Sequence, residues 1–142
     1  MRRLFLVSLL LPVLGGCSNQ PYKVASVSGT VKVNGKPLPN AAVVFSPIAE
    51  GTINPGPDAG AKTDAQGHYA LTITMPSGKQ IKGAVVGKHK VRITLIQEQD
   101  SADDRVRRFK QLPAKYNGKD TILECEVPSQ GKEDADFNLT VP

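Results

Sequence analysis

The chain has 142 residues, of which 39% are hydrophobic, 5% aromatic and 22% charged; this suits one domain and excludes a multidomain enzyme, a disordered tail and a collagen-like fibre. Eighteen basic residues against 13 acidic ones give +5, and setting aside Arg2 and Arg3, in a segment read below as a leader, leaves 16 against 13, or +3. That balance is too mild to imply nucleic acid, while 13 Gly and 11 Pro with so few aromatics signal many short turns.

Met1-Arg2-Arg3 is a short positive stretch, and residues 4–14 form an apolar run broken only by Ser8 and Pro12. Its length fits the core of a secretion signal and is too short to span a bilayer. Leu14-Gly15-Gly16-Cys17 follows: an aliphatic residue, two small residues and a thiol. This resembles the lipobox of bacterial lipoproteins. The resemblance implies cleavage before Cys17 and acylation, palmitate included, of the new first residue. Small residues let the backbone enter the peptidase, and the thiol is the nucleophile that takes the lipid. Residues 1–16 are then the leader and 17–23 a lipidated tether. A single acyl chain anchors only marginally, and each further buried CH₂ adds about 0.8 kcal/mol. Fully acylated Cys17 would therefore hold its membrane. Ser18, rather than Asp, after the cysteine implies the outer membrane of a cell envelope.

From residue 24 the hydrophobic period is two. Residues 26–33 place Val27, Gly29, Val31 and Val33 on one face. Asn34-Gly35 is a two-residue hairpin signal, because both residues tolerate positive φ. Residues 41–46 form a second strand, with Ala41, Val43 and Phe45 inward. Residues 47–58 read as a loop and 59–63 as a third strand. Asp64-Ala65-Gln66-Gly67 is a turn whose Asp can accept from the backbone two residues on. Residues 68–75 are a fourth strand, inward at Tyr69, Leu71 and Ile73, and 76–87 a Gly-rich connection. Residues 88–97 are a fifth strand, inward at Val91, Ile93 and Leu95, outward at Lys90 and Arg92.

Ser101-Ala102-Asp103-Asp104 has capping-box spacing, with Asp for the usual Glu. Acids before Arg105, Arg107, Arg108 and Lys110 match a helix macrodipole, so 102–110 reads as a short helix. Residues 121–127 and 135–141 are the sixth and seventh strands. With Cys17 lipidated, Cys125 has no partner for an internal disulfide and reads as an inward, buried, unreactive thiol. The sum is an all-β, seven-stranded antiparallel β-sandwich with one short helix in a loop.

Three stretches carry a second resemblance: Val27-Ser28-Gly29-Thr30-Val31 through Asn34-Gly35-Lys36-Pro37-Leu38-Pro39-Asn40-Ala41, then Thr63-Asp64-Ala65-Gln66-Gly67-His68-Tyr69, then 83–91. They are similar to carboxypeptidase regulatory-like domains. The resemblance covers about 24–141 and implies a transthyretin-like sandwich carried by a small bacterial lipoprotein. It implies no established activity. The fold also resembles that of hydroxyisourate hydrolases, an alternative in which His68 or His89 would act. The C-terminal Tyr-Arg-Gly-Ser of those enzymes is replaced here by Asn138-Leu139-Thr140-Val141-Pro142.

No Gly-x-Ser-x-Gly elbow occurs, acid spacing does not match a calcium loop, and two His with one Cys make no zinc motif. The expectation is a non-enzymatic module without metal or cofactor, tethered to a membrane through Cys17. Its partner is an envelope protein or polysaccharide, or its role is envelope structure. Recognition is expected in the loops 48–58, 77–86 and 98–119, with Arg105, Arg107 and Arg108 as the binding cluster, because loops on a rigid frame carry most recognition.

Overall fold

The computed structural model describes residues 21–51, 54–96 and 112–142. Cys17, the helix expected over 102–110 and its Arg105, Arg107 and Arg108 lie outside the described residues.

Strands β1 (Val24–Ala25) and β2 (Ser28–Val33) open the body. Gly29, Val31 and Val33 of β2 are buried, as alternation dictates. Asn34 and Gly35 take φ of 49° and 80° and turn the chain into β3 (Lys36–Pro37), with Val33 opposite Lys36. The Asn34 side chain also ties down the C-terminal segment. Its Nδ2 donates to Val141 O at 2.9 Å, and its Oδ1 accepts from Val141 N at 3.1 Å.

β4 (Ala41–Pro47) buries Ala41, Val43 and Phe45 completely, and β5 (Ala59–Lys62) pairs with it. In the turn after β5, Asp64 Oδ1 accepts from Gln66 N and His68 N, both at 2.9 Å. The run expected as one strand over 68–75 is two: β6 (His68–Ala70) and β7 (Thr72–Thr74). β6 pairs with β2, whereas β7 pairs with β5 and with β8 (Gln80–Lys82). Leu71 sits at the switch, donating to Val27 O at 2.9 Å and accepting from Gly83 N at 2.8 Å.

The connection expected over 76–87 holds β8 and β9 (Ala84–Val85), the latter paired with β1. Gly83 between them has φ of 114°, and a Cβ there would lie 2.1 Å from Ala25 O, so only glycine lets the chain pass. β10 (Gly87–Leu95) is the long central strand. A four-residue helix, α1 (Ala114–Asn117), precedes β11 (Glu124–Val127) and β12 (Phe137–Leu139). That helix has no signal in the hydrophobic period. Its Tyr116 is buried and corners the chain: the hydroxyl donates to Thr140 O at 3.0 Å and accepts from Thr140 N at 3.1 Å.

The fold is all-β, in open sheets that pack as in a sandwich. One six-stranded sheet runs β11-β10-β4-β5-β7-β8; a second holds β12, β2 and β3, with β6 on β2. The described residues thus make more and shorter strands than the seven expected. The ladder between β12 and β2 is parallel, which corrects the purely antiparallel reading. Between the sheets, Val31, Val43, Phe45, Ile73, Val91 and Ile93 have no exposed surface. Each such side chain contributes roughly 1.5–3 kcal/mol relative to exposure.

Candidate functional site

Two titratable groups of the interior, His89 and Tyr69, gather around Phe45. Its ring centroid lies 5.6 Å from that of His89, 6.5 Å from Tyr69 and 6.1 Å from Phe137. β4 and β10 bring Phe45 and His89 together because both side chains point inward from paired strands. His89 is only 1% exposed. Its Nδ1 faces Gly87 O at 3.0 Å; a carbonyl only accepts, so Nδ1 carries the proton. Nε2 is then a buried lone pair without a partner. Burial holds this imidazole below its ordinary range, outweighing the Gly87 bond that raises it.

Tyr69 donates its hydroxyl to Ala135 O, and burial pushes the phenol far above its ordinary range. Cys125 lies opposite His89 in the β10–β11 register, half-buried rather than fully buried as expected. Burial also pushes its thiol up, so at neutral pH it is protonated and a poor nucleophile. The cluster is therefore neutral and packed. His68, by contrast, is on the exposed end of the Asp64 turn, 3.9 Å from the Asp64 carboxylate. The two histidines stand on strands of different sheets.

The charged groups gather outside, on the solvent face of the six-stranded sheet. Alternation along β10 turns Lys88, Lys90 and Arg92 outward between the buried His89, Val91 and Ile93. Lys90 pairs with Glu124 at 2.7 Å, holding that carboxyl below its ordinary range, and Arg92 lies 3.8 Å from Asp58. Lys119 joins Lys90 and Arg92 at a cleft of about 350 Å³ floored by Pro47 and Ile48. Pro47 and Ile48 also line a second cleft, of about 270 Å³, with Tyr22, Val86 and Lys88. The outward Lys90 and Arg92 are legible in the sequence. Lys119 is not, because α1 and the turn after it carry it to the sheet.

Of the loops expected to recognise a partner, 77–86 is half strand, and Arg105, Arg107 and Arg108 of 98–119 lie outside the described residues. Among the described residues, no group of three or more His, Cys, Asp or Glu side chains converges, and no helix is long and apolar enough to cross a membrane. Comparison of the chain with family models, with curated proteins and with solved structures finds no match.

Proposed function

We propose that this protein is a membrane-anchored lipoprotein of a bacterial envelope, its β body a non-catalytic module that contacts an envelope protein or polymer or serves envelope structure. The observation that carries the reading is Leu14-Gly15-Gly16-Cys17 at the end of an apolar run that starts after Arg2-Arg3. The body begins close behind it: Tyr22 and Val24 already pack against the core, so the tether is short. We further propose that the body is a transthyretin-like, carboxypeptidase regulatory-like domain. Its Asn34-Gly35 hairpin, its Asp64 turn and its strand runs on two sheets support this. A non-catalytic role is supported by the neutral, sealed surroundings of His89 and Tyr69. The outer membrane is the proposed location, on the strength of Ser18.

Mass spectrometry of the protein from its own envelope tests the anchor. The expected mature form begins at Cys17 and carries acyl chains. Cys17→Ser leaves the precursor uncut and unlipidated. A mature form that starts elsewhere with an unmodified thiol refutes the reading.

A further inference from the structure

The register of the six-stranded sheet places one row of outward residues across five strands. Arg92 stands opposite Val44, Val44 opposite Gly60, Gly60 opposite Thr72, and Thr72 opposite Lys82. Four interstrand steps make this row about 19 Å long. A cation stands at each end, and nothing larger than valine lies between. Lys90 opposite Ser46 and Lys62 opposite Ala42 flank the row on the same face.

Six cations thus share this face and its rim: Lys62, Lys82, Lys88, Lys90, Arg92 and Lys119. Asp58, Glu124 and Glu126 oppose them, of which Asp58 and Glu124 are engaged by Arg92 and Lys90, and the rim adds Glu50 in the cleft with Lys88 and Asp120 next to Lys119. These acids stand at the β11 margin, ahead of β5 and past the end of β4, so that among the described residues Lys82 shares the β7-β8 part of the face with no acid. Among the described residues, Lys82 and Lys119 have no acidic partner. Ser46, Thr72 and Thr74 add hydroxyls to the floor.

We infer that this face binds an acidic polysaccharide laid across the strands from Arg92 to Lys82. The inference rests on the reading of an envelope module that contacts a polymer, and names the polymer's chemistry. A flat floor of small residues accepts an extended chain lengthwise. Paired and unpaired cations at both ends meet its carboxylates, and the hydroxyls meet its sugar oxygens. Nucleic acid bases call for aromatic platforms, and among the described residues this row has none. Docking on a bilayer surface calls for bulky apolar or aromatic side chains, which the row also lacks.

The test measures binding of oligogalacturonate to the whole protein as isolated, held in neutral nanodiscs. Neutral dextran, oligothymidylate and phosphatidylglycerol vesicles are the comparison probes. Oligogalacturonate should bind, dextran should not, and affinity should fall about 20- to 40-fold between 50 and 200 mM salt, as for a polyanion held through about three ionic contacts. The double variant Lys82→Glu/Arg92→Glu should weaken binding about tenfold or more, since each charge near an anionic surface is worth about fivefold. The Lys82→Arg/Arg92→Lys variant should keep it, and Lys32→Glu, on the second sheet, should leave it unchanged. Urea unfolding of each variant checks that the sheet is intact.

Unchanged binding in the charge-reversed, folded variant overturns the inference. So does tighter binding of oligothymidylate or of the vesicles than of oligogalacturonate. Mass spectrometry of Cys17 is read separately. An unacylated protein that binds the oligosaccharide ends the anchor reading alone, and an acylated protein that ignores it ends this inference alone.

Discussion

Gly29 and Gly60 both lie inside strands, and the same substitution at each should move stability in opposite directions. β2 is flanked by β6 on one side and by the chain around Ala135 on the other. A Cβ on Gly29 would lie 2.0 Å from Ala135 O and 2.5 Å from its carbonyl carbon. That obstacle is backbone, fixed by Ala135 N donating to Ser28 O at 3.1 Å and by the Tyr69 hydroxyl on Ala135 O. Gly29→Ala must push the two segments apart. Overpacking of this kind costs about 1–3 kcal/mol. Leaving the buried Tyr69 hydroxyl without its acceptor costs about 1–3 kcal/mol more. The expected loss is therefore about 2–6 kcal/mol, a large share of the roughly 5–15 kcal/mol that holds a domain. At Gly60 the nearest atom to an added Cβ is Val43 O, at 3.6 Å, an ordinary contact. Gly60 is also not among the positive-φ glycines. Gly60→Ala should therefore stabilise by about 0.4–1 kcal/mol, through the unfolded chain. Urea unfolding followed by circular dichroism reads both. With a slope of about 2 kcal/mol per molar, Gly29→Ala lowers the midpoint by about 1–3 M and Gly60→Ala raises it by a few tenths. If Gly29→Ala unfolds within about 0.3 M of the parent, the close approach of β2 and Ala135 is wrong.

Phe45→Ala removes the ring at the centre of the interior cluster and should cost about 3–5 kcal/mol, with Phe45→Leu costing less than half of that; calorimetry showing equal melting temperatures for both variants and the parent would contradict the packing. His89 has a folded pKa below its unfolded value near 6.5, so the unfolded chain takes up the proton first as pH falls. Its contribution is complete above about pH 6.5 and is lost as pH drops through the folded value. His89→Leu should therefore flatten the fall in stability between about pH 7 and pH 5, and an unchanged slope would place the effect elsewhere. Cys125, with its thiol pushed up by burial, should react with iodoacetamide more than about tenfold slower in the native protein than in urea, by mass spectrometry. Equal rates would mean an open thiol.

What the sequence determined by itself is local. Alternation assigned the inward faces of 26–33, 41–46 and 88–97, because side-chain direction in a strand depends only on parity, and every inward residue named there is buried. Asn34-Gly35 and Asp64-Gly67 were equally legible, since each turn is built from its own φ values and its own side-chain oxygen. Tyr116 anchors the C-terminal segment through Thr140, 24 residues on, a partner that only the fold supplies. The tertiary structure alone decided pairing. Nothing in 68–75 says that the chain changes sheets at Leu71, because the switch is made by Val27 O and Gly83 N, distant in sequence. The polar β8 has no hydrophobic period to announce it and is a strand because β7 offers it an edge. β12 lies parallel to β2 because the chain from Lys132 on already follows β2, bonding Ser26 and Ser28 on its way. The row from Arg92 to Lys82 exists for the same reason: strand parity turned each cation outward, but four registers had to align before they faced one surface.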